Sequence, residues 1–501
     1  MALHKFTRNE LDSILSNVVG KTLGEADVNN IFDRTITKPK ITGIAGDVVE
    51  QSILGYPADS DSNPDLLVDN VPTELKTTGI RKPKQKNSDF IYEAKEPMSI
   101  TAVSVNKIVN EEFDSSKFWS KLEHLLLVYY NYNSTETVPA AEYANFYIEG
   151  YHFHEFSEED KEILKNDWTL VRDFIRHLQE TYPDPTTEYH RLSSELRKDL
   201  MLIDTAPKYP NPPRFRLKRL TVSTIVQKHF GEKLEKLDET YSSFKELDAE
   251  LHRLTKKYKG KTVRELIDLL GINIKLTKNG DVAKGVTQQI IVKMFGGQAK
   301  KLSQIELFSK VGIIPKTIVQ TTKGTRTEDM KLFTINFDEW TSDTFETEEG
   351  EIKPMTFEDS FVYSYFNEHQ FLCIVFEEPS AKAKLLDNKF LGFKRLAIDE
   401  NVLHTDVRAT WDQVRHLIKN GLLVDVPDLK KDGTQKCGFK TGIPMSAPNF
   451  PKSEEYNFFI RGTGEDSSKK PFSINGVQMY YQQLWIKGKV VIEMLKEIDF
   501  I

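Results

Sequence analysis

The spacing of apolar residues predicts alternating helices and strands. Residues 46–54 are apolar at positions 48, 49, 53 and 54, which is the spacing of one helix face. Asp69 and Asn70 favour a short turn between two strands, and Ser157 is a suitable N-cap for a long helix. The same criteria predict strands at residues 63–68, 72–78 and 125–130, and helices at residues 158–179 and within 215–230. This order predicts the α/β class, with a central mixed sheet flanked by helices.

The chain contains an internal repeat, with four segments recurring in the same order after about 240 residues, and after a longer interval for the last. Any one match is weak, but four in order are difficult to obtain by chance. The matched segments are Gly20-Lys-Thr-Leu-Gly-Glu25 with Gly260-Lys-Thr-Val-Arg-Glu265; residues 71–78 with 315–322; Trp168-x-x-Val171-Arg172 with Trp411-x-x-Val414-Arg415; and Leu217-Lys218-x-x-x-Val222 with Ile486-Lys487-x-x-x-Val491.

The repeat predicts two tandem copies of one fold, forming a pseudo-dimer within one chain. We expect the first copy at residues 1–230 and the second at residues 260–501. Residues 231–259 have no proline, few strongly apolar residues and leucines at helical spacing, which predicts a charged helical linker.

Composition excludes several classes of protein. The 501 residues carry a formal net charge of −7, which argues against coating of nucleic acid by bulk charge but allows local basic clefts. The two cysteines, Cys373 and Cys437, have the spacing of neither a disulfide framework nor a zinc site. Without a secretory segment or an apolar run long enough to span a bilayer, a cytoplasmic protein with no membrane partner is expected.

One group of polar residues in the first copy has the pattern of a metal-dependent phosphodiesterase. Glu74 and Lys76 are two residues apart in a predicted strand and therefore share a face, and Asp65 precedes that strand. Asp65 and Glu74 are suited to hold Mg²⁺, Lys76 to position or deprotonate the attacking water, and Glu50 to add or support an oxygen ligand.

Other interpretations of these residues stay open. A Glu-Leu-Lys tripeptide is common on solvated strands, and Glu50 taken alone is typical of a surface helix. Asp61 and Asp69 are rivals of Asp65, although Pro64 favours an extended approach to Asp65.

The second copy favours the catalytic interpretation, because its matching positions are neutral. Glu50, Asp65, Glu74 and Lys76 are matched by Gln289, Ser309, Ile318 and Gln320. A fold that needed these charges for stability would keep them in both copies. One active copy and one inactive copy is therefore the simplest explanation.

Several motifs, in order, resemble the MutH-like endonucleases of the PD-(D/E)xK nuclease superfamily. The resemblance covers nearly the whole chain, is strongest at residues 46–78, and is closer to the larger, two-domain, GATC-specific restriction enzymes of staphylococcal type. The motifs are Gly46-Asp-Val-Val-Glu50, residues 59–65, Glu74-Leu-Lys76, Ser120-Lys121-Leu, Asn166-Asp-Trp168 and Phe215-Arg-Leu-Lys218.

The resemblance implies a type II restriction endonuclease that hydrolyses double-stranded DNA at GATC, 5′ of the G, with Mg²⁺ as cofactor. It implies Asp65, Glu74 and Lys76 as the catalytic core, Glu50 as the helix acid, and Lys121 as a further lysine of the site. A solvated helix position is the alternative for Lys121. The resemblance also implies that the second copy is a non-catalytic effector domain that binds a second DNA site.

Candidate DNA contacts follow from basic residues near the expected recognition loop. They are Lys208, Arg214, Arg216 and Lys218 in the first copy, and Arg461 and Lys487 in the second. At Arg216 the MutH pattern has a tyrosine, so the individual base contacts stay open. A second basic cluster, residues 81–86, is also consistent with a solvated loop.

Two alternative functions are considered. A mismatch-repair nicking enzyme needs only one nuclease copy, whereas this chain has two. A DNA-binding regulator without activity would not need the intact Asp65, Glu74 and Lys76.

With one active centre per chain, a double-strand break requires dimerisation on DNA or two successive nicks.

Overall fold

The fold is described from a computed structural model. It describes residues 4–501 apart from residues 40, 42, 58–62, 84–89, 135–137, 207–211, 326–327, 347–351, 382, 431, 439–441 and 465–469, and apart from the side chain of residue 346. The chain forms two compact units. The first comprises Met1–Leu251, Ile291–Ile314 and Thr344–Pro354, and the second His252–Ile290, Pro315–Asp343 and Met355–Ile501.

Helices and strands alternate along both halves of the chain, as the apolar spacing predicts. Within the described residues the α-helices are α1 (Arg8–Ser16), α2 (Leu23–Ala26), α3 (Arg34–Thr37), α4 (Ile44–Val48), α5 (Lys117–Ser120), α6 (Glu158–Thr181), α7 (Arg191–Ser194), α8 (Arg219–His229), α9 (Phe244–Tyr258), α10 (Val263–Leu269), α11 (Val286–Met294), α12 (Glu306–Lys310), α13 (Phe337–Thr341), α14 (Phe361–Glu368), α15 (Glu400–Val402), α16 (Arg408–Lys419) and α17 (Gly488–Lys496). Two π-helical segments, Val49–Ile53 and Leu403–Val407, adjoin α4 and α16.

A mixed sheet forms the centre of the first unit and confirms the α/β class. Its strand order is β1-β2-β3-β6-β7, and β4 pairs with the far end of β3. The pairs β1/β2 and β3/β6 are parallel, whereas β2/β3 and β6/β7 are antiparallel. A smaller antiparallel sheet has the order β5-β9-β8. The strands are β1 (His4–Phe6), β2 (Leu66–Val68), β3 (Val71–Arg81), β4 (Glu93–Ala94), β5 (Met98–Ala102), β6 (Leu125–Asn131), β7 (Ile148–His154), β8 (Ile203–Ala206) and β9 (Arg214–Leu217).

Strand alternation divides the main sheet into two faces. Leu75 and its neighbours Leu126, Val128 and Tyr130 on β6 point into one hydrophobic core, which the N-terminal helices cover. Glu74 and Lys76 therefore lie on the opposite face. Burial of the apolar face fixes this register, since a slip of one residue would expose Leu75 and bury Lys76.

The predicted turn and the predicted helix N-cap are both present. Asp69 and Asn70 connect β2 to β3 with positive φ angles of 48° and 68°, a conformation that Asp and Asn tolerate in tight hairpins. The side chain of Ser157 accepts a hydrogen bond from the backbone N–H of Asp160 at the start of α6.

The second unit contains two sheets with strand orders that also occur in the first. The order β10-β14-β15 parallels β3-β6-β7, and the antiparallel order β11-β21-β18 parallels β5-β9-β8. In each smaller sheet the central strand, β9 or β21, is followed directly by a helix, α8 or α17. Three two-stranded sheets also occur among the described residues, β12/β13, β16/β17 and β19/β20, and the first of them belongs to the first unit. The remaining strands are β10 (Ile313–Thr321), β11 (Met330–Thr334), β12 (Thr344–Glu346), β13 (Ile352–Pro354), β14 (Gln370–Glu378), β15 (Lys389–Leu396), β16 (Asp425–Pro427), β17 (Ser446–Pro448), β18 (Phe458–Gly462), β19 (Phe472–Ile474), β20 (Val477–Met479) and β21 (Gln482–Ile486).

The first repeated motif has the same local structure in both positions. Gly20 and Gly260 have φ angles of 84° and 85°, which explains the glycine. Their N–H groups donate, each over 2.8 Å, to the carbonyl oxygens of Ile148 and Phe390. The motif then begins α2 and α10, and in both helices a threonine and a glutamate form a capping box.

The third repeated motif also keeps its contacts. The Arg172 guanidinium lies 5.3 Å from the Trp168 ring, and Arg415 lies 4.5 Å from the Trp411 ring. All four residues lie on α6 or α16, where a spacing of four places the side chains on one face.

The predicted linker is helical only in its second part, and the helix is partly buried. Residues 231–243 contain no helix, and α9 begins at Phe244. Leu247, Leu251 and Leu254 on α9 are each at most 1% exposed. The leucine spacing that predicted the helix therefore marks a packed face.

Within the described residues, no helix is both long and apolar enough to cross a membrane.

Candidate active site

The candidate active site is formed where β2 and β3 meet the start of β6. Leu66 on β2 pairs with Thr73 on β3, so Asp65 lies beside the backbone of Glu74 and Leu75. The Asp65 carboxylate accepts a hydrogen bond from the Leu75 N–H over 3.0 Å. This bond fixes one carboxylate oxygen of Asp65 to the strand that carries Glu74.

Two lysines surround the Glu74 carboxylate. The Lys76 Nζ donates to Glu74 Oε1 over 2.9 Å, which is the same-face contact predicted for positions two apart in a strand. The Lys121 Nζ donates to Oε1 over 2.8 Å and to Oε2 over 3.0 Å. The Glu74 side chain is only 2% exposed, so these charge-assisted bonds offset the cost of its burial.

The two lysines differ in their access to solvent. The Lys76 side chain is 25% exposed and the Lys121 side chain 11%. Lys121 directly follows α5, a short helix that Ser116 caps and that buries Phe118 and Trp119. These aromatic anchors hold Lys121 against Glu74, which differs from the solvated helix position considered for this lysine.

The pKa of Asp65 reflects both its burial and its charged neighbours. Burial raises this pKa above its ordinary value, and the neighbouring Glu74 carboxylate raises it further. Lys76, the Leu75 N–H and Lys121 act in the opposite direction. A cation held by both carboxylates would relieve the repulsion between them.

Glu50 lies on a helical segment next to β3, the strand that carries Glu74 and Lys76. It belongs to the π-helical segment Val49–Ile53, which continues α4, and α4 packs against β3. Its side chain is half-buried, and its backbone carbonyl accepts from the Tyr56 N–H over 3.1 Å. Such π-helical insertions are frequent at functional sites.

The structure thus brings together Asp65, Glu74, Lys76 and Lys121. Within the described residues, no group of three or more His, Cys, Asp or Glu side chains forms a recognisable metal centre. Of the proposed rivals, Asp61 lies outside the described residues, and Asp69 accepts from the Arg8 N–H in the β2–β3 turn.

Three of the candidate DNA contacts lie at the β8–β9 hairpin. Arg216 forms a two-pronged pair with Asp204 directly across the hairpin, with N–O distances of 2.7 and 3.0 Å. Arg214 is half-buried, and its Nε has no hydrogen-bond partner among the residues that the structure describes. Lys218 is 4% exposed and donates to the Leu200 carbonyl, so a DNA contact would require it to leave this position.

The other candidate contacts are partly outside the described residues or in the second unit. Lys208 lies outside the described residues, as do residues 84–86 of the second basic cluster. Arg461 pairs with Asp329 over 2.8 Å, and its guanidinium lies 4.8 Å from the Phe459 ring. Lys487 precedes α17, and its N–H donates to the Asn457 carbonyl over 3.0 Å. All six DNA contacts remain predictions.

Asp167, the central residue of the Asn166-Asp-Trp168 motif, has no role predicted from the sequence. The position of Asp167 among apolar residues at helical spacing was the signal available in the sequence. Asp167 lies three residues after Leu164 and four before Val171 on the buried face of α6, where an acid is unexpected.

The chain is similar to a known protein family and to one known protein. Residues 54–167 match the family model described as DNA mismatch repair enzyme MutH, and this segment contains Asp65, Glu74, Lys76 and Lys121. The chain is also 25% identical over 409 residues to the type II restriction enzyme Sau3AI of Staphylococcus aureus, covering 77% of each protein.

These findings confirm the resemblance that the motifs indicated. A segment of the chain that contains the candidate site matches the MutH family, and most of the chain is similar to a type II restriction enzyme, so both comparisons support a site-specific deoxyribonuclease of the MutH-like restriction class.

Proposed function

We propose that the protein cleaves double-stranded DNA at GATC, 5′ of the G, by Mg²⁺-dependent attack of water on the phosphodiester. The observation that carries this proposal is the cluster of Asp65, Glu74, Lys76 and Lys121 within the MutH-type segment. The GATC sequence comes from the family resemblance of the motifs.

The donor set fits a divalent cation with hard oxygen ligands. Asp65 and Glu74 would hold it, since burial and then the Glu74 carboxylate raise the pKa of Asp65, and a cation held by both carboxylates would relieve their repulsion. When bound, Mg²⁺ lowers the pKa of a coordinated water and neutralises charge on the phosphate.

The side chains then have distinct roles in this proposal. Lys76, the more exposed lysine, orients or deprotonates the attacking water and stabilises the charge that develops on the phosphate. Lys121 bonds to both oxygens of Glu74 and fixes the orientation of that carboxylate. Glu50 on the adjoining helix supports the ligand set.

We also propose that the second half is a non-catalytic copy of the same fold. The shared strand orders, the capping boxes of α2 and α10, and the two Arg–Trp contacts support it. Ile318 and Gln320 lie on β10, and Gln289 lies on α11, elements matching those of Glu74, Lys76 and Glu50. Ser309, in contrast, lies in helix α12.

In this proposal residues 1–230 are the catalytic domain, residues 231–259 connect the copies, and residues 260–501 are an effector domain that binds a second DNA site. Arg461 and Lys487 are its proposed DNA contacts.

Digestion of plasmid DNA tests the proposed function. Plasmids with and without adenine methylation at GATC are incubated with Mg²⁺ or with EDTA, and the cut ends are mapped. We expect linear product with ends at GATC only when Mg²⁺ is present. Comparison of the two plasmids then shows whether adenine methylation protects the DNA from cleavage. Nicked circles alone would favour a mismatch-repair type of nickase, and uncut DNA a regulator.

The Lys76→Ala variant tests the assignment of the site. We expect cleavage to fall at least about 10²-fold while DNA binding is largely kept, since Lys76 acts on the transition state. Lys107→Ala, at an exposed lysine outside the cluster, is the matched control. Full cutting by Lys76→Ala would refute the assignment.

A further inference from the structure

One buried carboxylate outside the candidate active site organises a backbone segment. Asp167 on α6 is 1% exposed. Its Oδ1 accepts from the Met201 N–H over 2.9 Å, and its Oδ2 accepts from the N–H groups of Leu202 and Ile203 over 2.7 and 3.2 Å. Three consecutive N–H groups directed at one carboxylate fix the backbone that leads into β8.

The end of β9, which lies beside the start of β8, is tied to the same segment by Lys218. At the end of β9, the Lys218 N–H donates to the Leu202 carbonyl over 2.9 Å and its buried Nζ donates to the Leu200 carbonyl. Burial raises the pKa of Asp167 to about 6, while the three N–H groups and Lys218 lower it. The start of β8 and the end of β9, which pair at the open end of the hairpin, are therefore anchored around one buried carboxylate.

The second unit indicates that the fold itself does not need this charge. The residue matching Asp167 is Thr410, one before Trp411 on α16. It is fully buried, and its hydroxyl donates to the Phe458 carbonyl of β18 over 2.6 Å. A neutral hydroxyl is thus sufficient to join helix and strand there, whereas a buried carboxylate has a large desolvation cost.

The hairpin that Asp167 anchors carries the candidate DNA contacts of the first unit. Arg214 and Arg216 lie on β9, and Arg216 pairs with Asp204 on β8. Base recognition by a guanidinium requires fixed geometry, because a bidentate contact is lost when the group shifts by about an ångström.

We propose that Asp167 is a positioning residue for DNA recognition, which holds the β8–β9 hairpin so that Arg214 and Arg216 meet the DNA in one register. This inference rests on the proposed function. It predicts that loss of the Asp167 carboxylate weakens recognition of the site more than the chemical step.

The experiment compares Asp167→Asn and Asp167→Thr with Asp173→Asn, which changes an exposed acid on the same helix. Asn keeps one acceptor oxygen but turns a donor towards the Met201–Ile203 backbone, and Thr is the residue at the matching position 410. We expect both Asp167 variants to raise KM for a GATC duplex about tenfold, to lose about tenfold discrimination against a site with one changed base, and to change kcat little.

Thermal unfolding shows whether each variant folds. Binding of the duplex is measured in Ca²⁺, under conditions without cleavage. If Asn prevents folding, the Thr variant gives the answer. Wild-type KM and discrimination in a folded Asp167 variant would overturn the proposal, as would a loss confined to kcat. A wild-type protein that cuts no GATC site would refute the proposed function. In that case, comparison of DNA binding by the wild type and the Asp167 variants, in Ca²⁺ and on random-sequence duplexes, would still decide the role of Asp167.

Discussion

The electrostatics of the candidate active site depend on a single buried carboxylate, Glu74. Two ammonium groups bond to it, from Lys76 two residues along the same strand and from Lys121 after α5. Removal of either lysine would leave the buried charge partly uncompensated, which is costly in a dry environment. Asp65 makes no lysine ion pair among the described residues, and its burial and then the Glu74 carboxylate raise its pKa.

We predict that the affinity for the cation depends on the ionisation of Asp65. Its pKa is raised above the ordinary 3.8, so the folded protein holds the Asp65 proton more tightly than the unfolded chain. Without a cation, the stability contributed by this group is greatest below pH 3.8 and is lost as the pH rises through the raised pKa. A bound cation reverses this penalty, because only the carboxylate can hold it.

We therefore expect the Mg²⁺ affinity, measured by calorimetry at several pH values from about 4.5 to 7.5, to increase with pH. Asp65→Asn should abolish the dependence, whereas Asp69→Asn, at the neighbouring turn, should keep it. An affinity that does not vary with pH would contradict the assignment of Asp65 as a cation ligand.

At the scale of elements, α9 shows how a charged sequence can still be part of a core. Its Lys, Arg and Glu side chains gave the impression of a solvated linker, but Phe244, Leu247, Leu251 and Leu254 are buried on one face. The other face carries the charge, which is the ordinary pattern of an amphipathic helix.

Replacement of Leu251 distinguishes a packed helix from a solvated linker. Leu251→Ala should lower the free energy of unfolding, measured with urea, by about 2–5 kcal/mol, because it removes a fully buried side chain. Lys256→Ala on the exposed face of the same helix should change it by less than about 0.5 kcal/mol. Equal, small effects of both substitutions would favour the solvated linker.

At the scale of the whole molecule, each chain contains one cluster with Asp65, Glu74 and Lys76, and the matching positions of the second half are neutral. Under the proposed function, a double-strand break then requires two chains at one site or two successive nicks. If residues 260–501 bind a second DNA site, cleavage depends on the number of sites available.

We expect a plasmid with two GATC sites to be cut faster than a one-site plasmid at equal site concentration. A short GATC duplex added in trans should stimulate cleavage of the one-site plasmid, and a duplex of the same composition without GATC should not. Gel quantification of linear product measures both rates. Equal rates on the two plasmids would contradict an effector role for residues 260–501.

The sequence by itself determined the local elements, because their signals lie within short windows. Apolar periodicity identified β6 and α6, the Asp69-Asn70 turn identified the β2–β3 hairpin, and the strand period placed Glu74 and Lys76 on one face. Motif order was sufficient to identify the endonuclease class.

Only the tertiary structure decided how distant side chains meet. Lys121 is 47 residues from Glu74, and Asp167 is 34 to 36 residues from the N–H groups that it binds. No local window contains both members of such a contact. Burial likewise depends on what packs against a residue, so the sequence left the Lys121 position open, gave Asp167 no role, and did not reveal the packed face of α9.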